Sequence, residues 1–84
     1  RERGELRIMK KEHYDKYRKL CLKIAYYRKL RGYTQEQLAE KIGKSVEHIK
    51  CIENVNIDYI FYIDIFLDIS NALDVKPDKL LEED

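Results

Sequence analysis

Between residues 14 and 30, apolar side chains recur every three or four positions, and lysine and arginine fill most of the positions between them. In a helix this spacing places the apolar side chains on one side and the charges on the other. Charge pairs four residues apart favour a helix start near Lys10 or Lys11, and Gly32 predicts its end. The expected inward residues are Tyr14, Tyr17, Leu20, Cys21, Ile24, Tyr27 and Leu30.

Two short helices are expected to follow in close succession. Thr34 and Gln37 have the spacing of a capping box, which predicts that a second helix begins there. Gly43 supplies a residue that tolerates the left-handed conformation and ends this helix. Only Lys44 separates it from Ser45, a favourable N-cap for a third helix. The expected inward residues are Leu38, Ala39 and Ile42 in the second helix and Ile49 and Ile52 in the third.

The C-terminal third contains a segment, residues 57–61, that is rich in β-formers and would suit a strand. A single strand would have no pairing partner, so a loop followed by a helix from about Tyr62 to Leu73 is the preferred interpretation. The expected inward residues of this helix are Tyr62, Phe66, Ile69 and Leu73. Pro77 then opens a short last helix, in which Leu80 and Leu81 close the core. The pattern as a whole predicts an all-α fold of five helices.

The composition is that of a folded globular protein, with 44% hydrophobic and 39% charged residues. At 84 residues the chain is expected to form one domain, over residues 14–84. Residues 1–13 are basic and weakly periodic, and they could be a flexible arm, a helical extension or the remnant of a tag.

The charge changes this picture, because it is unevenly distributed. The formal net charge is only +1, yet residues 1–34 hold twelve basic against four acidic residues and residues 54–84 hold two against eight. Such asymmetry favours an anionic partner for the basic half, although two ordinary solvated faces would have the same composition.

Several classes of function are disfavoured. Cys21 and Cys51 are isolated, which argues against a disulfide framework and fits a reducing, cytoplasmic location. His13 and His48 have no metal-ligand spacing, so neither a metal nor a cofactor is expected. No catalytic motif is present, and we expect no enzymatic activity. The longest apolar stretch is interrupted by aspartates and is too short for a membrane span, and no signal-peptide pattern is seen.

The second and third helices have the features of a helix-turn-helix unit, in which the second of the two helices enters the major groove of DNA. Ala39 is small enough to let the two helices approach, Gly43 allows the turn a positive φ, and Ile49 can wedge between the helices. A capped helix hairpin in any small α-protein could show two of these features. All three in register favour the DNA-binding unit.

A wider resemblance extends from about Leu20 to Leu81. With these residues the sequence resembles the lambda-repressor-like, Cro-type (XRE) helix-turn-helix family. The resemblance implies a compact five-helix DNA-binding domain, a role in transcription regulation, and dimerisation on two half-sites of double-stranded DNA. The matching residues are Leu20, Ile24, Arg28, Gly32 to Gln35, Gln37 to Gly43, Ser45, Ile49, Ile52, Glu53, Ile69, Ala72, Leu73, Val75, Leu80 and Leu81.

The same resemblance implies roles for single residues. Gln35 would touch a phosphate at the start of the second helix, where the backbone N–H groups also favour an anion. Arg28 and Glu53 would form a partly buried salt bridge between the first and third helices. Val55 stands where this family commonly has a glycine, which predicts a changed loop after the third helix.

The base-reading surface is expected on the outward side of the third helix. Its residues are Ser45, Val46, Glu47, Lys50 and Cys51. Lys44, in the turn, should point outward and help to position the domain on the DNA backbone. This surface carries no arginine, glutamine or asparagine, so we expect weak or shape-based sequence specificity.

The apolar segment before the fourth helix holds more large side chains than one small core can hide, which favours an interface between two copies. The candidates are Tyr59, Ile60 and Phe61, and packing beneath the first helix is the alternative. In an isologous dimer the third helices would lie about 34 Å apart, which is one turn of DNA.

Two hypotheses for the function follow. The first is a dimeric, sequence-selective DNA-binding regulator. The second is a protein-interaction module, antitoxin-like or a degenerate helix-turn-helix, that holds a protein partner through its apolar and acidic C-terminal half.

Overall fold

The computed structural model describes residues 9–55 and 59–82. Five α-helices lie within these residues: α1 (Tyr14–Leu30), α2 (Gln35–Ile42), α3 (Val46–Glu53), α4 (Ile63–Leu73) and α5 (Pro77–Leu81). A 3-10 turn, Lys11–His13, precedes α1. The described residues contain no strand, so the predicted all-α, five-helix fold is confirmed.

The ends of the first two helices are fixed by local chemistry. Thr34 Oγ1 accepts a hydrogen bond from the Gln37 backbone N–H at 3.0 Å, and the Gln37 side-chain oxygen accepts one from the Thr34 N–H at 2.8 Å. Gly32 and Gly43 have φ angles of +79° and +71°, a region that glycine enters at little cost. The predicted capping box and the two glycine helix ends are therefore confirmed.

The core lies where α1 packs against α3, α4 and α5, and where α2 packs against α3 and α4. Its fully buried side chains come from all five helices. Those of α2 and α3 exclude water from the contact between these two helices. The fully buried residues are Cys21, Ile24, Leu38, Ile49, Ile52, Ile69, Leu73 and Leu80. Each of these was among the predicted inward residues.

Three other predicted inward residues are exposed instead: Leu30 by 56%, Tyr62 by 79% and Leu81 by 41%. Two steps of three residues turn Leu30 about a third of a turn away from the buried Ile24. Tyr62 is the N-cap of α4 and has an extended backbone (φ −76°, ψ 162°), so it does not share the phase of that helix. Leu81 is the last residue of the short α5.

The start of α1 differs from the sequence-based expectation, whereas the predicted loop before α4 is confirmed for residues 59–62. The α-helix begins at Tyr14, because the preceding turn is wound as a 3-10 helix. Residues 59–62 have no regular secondary structure and lead directly into α4. Ile57 and residues 1–8 lie outside the described residues, so the alternatives for the N-terminal extension stay open.

Phe61, which was predicted as a candidate interface residue, belongs to the core of the molecule. Its exposure is 9%, and its ring centroid lies 5.6 Å from that of Tyr17 and 6.4 Å from that of Phe66. Tyr59 and Ile60 are half-buried against the core, and the Tyr59 carbonyl accepts a hydrogen bond from the Tyr17 hydroxyl at 2.8 Å. The alternative of packing beneath α1 is thus correct for Phe61.

None of the helices in residues 9–55 and 59–82 is both long and apolar enough to cross a lipid bilayer.

Candidate nucleic-acid interface

The turn between α2 and α3 sets the angle at which α3 projects from the domain. Gly43 donates its backbone N–H to the Glu40 carbonyl at 3.2 Å, and Lys44 donates to the Ala39 carbonyl at 3.0 Å. These two bonds close the end of α2 and require the left-handed glycine between them. Ala39, 3% exposed, and Ile49, fully buried, fill the contact between the two helices. The outer side of α3 is consequently free to meet a partner.

A buried ion pair fixes the far end of α3 to α1. Arg28 Nε lies 2.5 Å from Glu53 Oε2, and Arg28 Nη2 lies 2.9 Å from Glu53 Oε1. Both side chains are about nine-tenths buried, with exposures of 10% and 8%. Arg28 Nη1 also donates to the Tyr33 carbonyl at 2.7 Å. Such a two-pronged contact holds a carboxylate in one orientation, so α3 cannot rotate freely about its axis.

Gln35 joins this cluster, which the sequence did not indicate. Its Nε2 donates to Glu53 Oε1 at 3.0 Å, so α1, the start of α2 and the end of α3 meet at one carboxylate. A side-chain amide carries two hydrogens, and the one that Glu53 does not use can still donate to an anion. Gln35 also lies at the first position of α2, where the helix dipole favours negative charge.

The outer row of α3 contains three of the predicted base-reading residues. Glu47 and Lys50 are exposed, and Cys51 is half-buried. Val46 is also half-buried and packs against the core, which leaves only part of it for contact with a ligand. Asn54 follows directly after α3 and is exposed. It lies four residues after Lys50 and so continues the row. This helical spacing is visible in the sequence and could have identified Asn54.

Ser45 differs in part from its predicted role. Its backbone is extended, as an N-cap requires (φ −77°, ψ 158°), but its side chain caps no backbone N–H. The Ser45 hydroxyl instead lies 2.9 Å from His48 Nδ1, because the imidazole one turn later competes for it. The His48 ring in turn packs edge-on against Tyr59, with centroids 5.9 Å apart. Lys44, the neighbouring turn residue, is exposed as predicted.

A groove of about 480 Å³ runs between α1 and the α2–α3 pair. It brings Gln35 and Lys50 together with Lys29, a cation that sequence reasoning did not select, and with Asn54. Because Lys29 adjoins Arg28 on an exposed position of α1, a charge map of the helix would have found it. The groove is lined by Leu22, Ala25, Arg28, Lys29, Gln35, Lys50, Glu53 and Asn54.

The chemistry of this surface suits an anion more than a metal. The Glu53 carboxylate is neutralised by Arg28, so Lys29 and Lys50 are the groove residues whose charge is left for a ligand. Among the described residues, no group of three potential metal ligands is found.

Comparison with known proteins places this geometry in a family. The family model described as helix-turn-helix matches residues 24–80, which is more than half of the chain. Neither the curated proteins nor the solved structures contain a significant match. The matched region contains α2, α3 and α4 in full, the C-terminal part of α1 from Ile24 onward, and all of α5 except Leu81. The chain belongs to the helix-turn-helix family of the lambda-repressor and Cro type, a DNA-binding family.

Proposed function

We propose that this protein is a sequence-selective transcriptional regulator that docks residues 45–53 in the major groove of DNA. The observation that carries the proposal is the clamped α3, whose inner residues are fully buried while Glu47 and Lys50 are exposed. The Arg28–Glu53 ion pair holds that helix against α1. A rigid helix loses little conformational entropy when it binds, which favours its use in recognition.

The proposed contacts divide into two kinds. Gln35, Lys44 and Lys50 supply hydrogen-bond donors for phosphates, which position the domain but do not read sequence. Ser45, Val46, Glu47 and Cys51 face base edges. Glu47 is suited to accept from a cytosine amino group, and Val46 to touch a thymine methyl.

The specificity is expected to be modest. No side chain on the proposed reading surface can make the two-pronged contact that typically gives about 1 to 3 kcal/mol of discrimination between bases. DNA shape and the number of bound copies would then have to supply the selectivity. Exposed apolar side chains support association of copies: Tyr62, Ile63, Leu67 and Leu81 are all more than 40% exposed. In this role the protein would act in the cytoplasm, where its DNA is.

The test is the affinity for mixed duplex fragments, measured by fluorescence anisotropy over a range of salt concentrations. Lys50→Ala should weaken binding and lower the slope of log affinity against log salt by about 1, because one phosphate contact is lost. Lys76→Ala, which removes an exposed lysine beside α5, is the matched control and should leave the slope unchanged.

A wild-type protein that does not bind any duplex at low salt and micromolar concentration would refute the regulator proposal. The protein-interaction module would then be the better description, and neither lysine substitution should affect capture of its partner.

A further inference from the structure

Two exposed apolar surfaces are present away from the outer row of α3. The first, the α1 stripe, consists of Leu22, Tyr26 and Leu30, which are 54%, 58% and 56% exposed. The second, the α4–α5 patch, consists of Tyr62, Ile63, Leu67 and Leu81, with exposures of 79%, 69%, 43% and 41%. Clustered apolar side chains of this size usually mark an interface.

The α1 stripe is a convex row on a basic helix. Its members are four residues apart, so they lie one above the other on the side of α1 that faces away from the core. The helix as a whole holds six lysines and arginines and one aspartate. Arg18 and Lys29 lie along one edge of the stripe, and both are exposed.

The α4–α5 patch has the opposite shape and the opposite charge. Ile63 and Leu81 of this patch line an open apolar depression of about 270 Å³, whose floor includes Leu20, Phe61 and Phe66. Asp64 adjoins Ile63 on α4 and is exposed, whereas Asp68 lines a separate depression beside Lys41 of α2.

The two surfaces lie on opposite sides of α1. Tyr17 and Leu20 line the depression, whereas Leu22 and Tyr26 point roughly half a turn away from them. One molecule therefore cannot cover its own stripe with its own patch.

We propose that a second copy of this chain covers each surface, with the α1 stripe of one molecule seated in the α4–α5 patch of the next. Protruding side chains would meet a depression, and the Arg18 and Lys29 edge would approach Asp64. An isologous pairing of two α4–α5 patches would instead bring the aspartates of both copies together, and like charges across an interface are costly. The proposed contact is heterologous, so it does not close after two molecules.

This arrangement adds a second copy of the chain as a partner, and it does not depend on the proposed DNA-binding function. Leu22 ends the α1 stripe and also lines the groove that holds Gln35 and Lys50. A neighbour on the stripe would therefore lie beside the proposed DNA-binding surface, as successive copies on adjacent DNA sites would.

The test is sedimentation equilibrium of the full chain without DNA. Its outcome therefore does not depend on whether the protein binds DNA. The wild-type protein should gain average mass with concentration without reaching a plateau at the dimer, and added salt should weaken the association. In the stripe variant (Tyr26→Glu, Leu30→Glu) and the patch variant (Ile63→Lys, Leu67→Lys), association should be at least about tenfold weaker. Two single substitutions at exposed sites, Lys10→Glu and Glu40→Lys, serve as controls, because each changes the net charge by as much as one of the double substitutions. Both controls should associate as the wild type does.

Mixing the two variants gives the decisive result. Each has lost one surface and kept the other, so an equimolar mixture should form a one-to-one dimer that neither forms alone. The proposal is overturned if the wild type stays monomeric at several hundred micromolar, a concentration at which even a weak interface should form. It is equally overturned if the wild type and the stripe variant both stop at a dimer of the same strength, which would indicate the isologous α4–α5 dimer, or if the mixture stays monomeric.

Discussion

Arg28 is the only buried arginine among the described residues, and its charge is matched by a single carboxylate. Removing one partner of a buried pair leaves the other charge without compensation, which costs about 3 to 5 kcal/mol. We therefore expect Arg28→Ala to lower the free energy of unfolding by about 3 kcal/mol. Urea denaturation at neutral pH measures this loss.

The neighbouring Lys29→Ala is the matched control for Arg28, because Lys29 is exposed. It should change the free energy of unfolding by no more than about 0.5 kcal/mol. Replacement of both Arg28 and Glu53 by leucine should cost less than Arg28→Ala alone, since no unpaired charge is left. Equal losses for Arg28→Ala and Lys29→Ala would show that the ion pair contributes nothing to stability.

The thiol of Cys21 gives the fold a sensitivity to alkaline pH. Burial raises the pKa of this thiol from 9.0 to about 11, and burial also raises the pKa of Tyr17 above its usual range. A raised pKa in the folded state stabilises the fold below the ordinary pKa, and this stabilisation is lost as the pH rises through the folded value. For Cys21 alone, unfolding should become easier by about 2 to 3 kcal/mol between pH 9 and 11.

The comparison of wild type with Cys21→Ala isolates this effect. The free energy of unfolding of the two proteins, measured by urea at pH 8, 9 and 10.5, should converge as the pH rises, because only the wild type has the thiol to ionise. Parallel curves across this range would mean that the Cys21 thiol does not titrate differently in the two states.

At the scale of the helical elements, the end of α3 is strained where the ends of α1 and α2 are not. Val55 has a φ of +53°, and a β-branched side chain is rarely found in the left-handed region. The Val55 N–H donates to the Ile52 carbonyl at 3.1 Å, so the turn has the form that a glycine would favour.

Val55→Gly relieves this strain, and the relief should exceed the lost packing. The substitution should therefore raise the free energy of unfolding by about 1 kcal/mol. The adjacent Asn54→Gly is the matched comparison, because Asn54 has a φ of −82° and gains nothing from a glycine. That change should lower the stability by about 0.5 to 1 kcal/mol. If thermal or urea unfolding gives both substitutions the same sign, the strain at Val55 is not what separates them.

At the scale of the whole molecule, the charge asymmetry of the sequence has a spatial counterpart. Most of the described basic residues of the first half lie on α1, and most of the described acidic residues of the last third lie on or beside α4 and α5. The proposed DNA-binding face lies between these two regions, on α2 and α3. The uneven charge thus serves two proposed partners. DNA would bind beside the basic α1, and a second copy of the chain would bring its α4 and α5 against the same helix.

Much of the fold could be predicted from sequence, because helix ends depend on short-range chemistry. The capping box at Thr34, the glycine ends at positions 32 and 43, and the Pro77 start of α5 each involve residues within one helical turn. The inward faces of α2 and α3 were also correct, since their periodicity is strict over eight residues each. Prediction was wrong at Leu30, Tyr62 and Leu81, which all lie at helix ends, where periodicity no longer reports the direction of a side chain.

The amino-acid sequence by itself determined most of the helix ends and the buried faces in the helix interiors, because both follow from contacts between residues close together in the chain. Only the tertiary structure decided how distant residues combine. It brought Gln35 to the Arg28–Glu53 pair, put Phe61 in the core, and left two apolar surfaces of opposite charge on opposite sides of α1. These outcomes depend on the packing angles of whole helices, which no local pattern encodes.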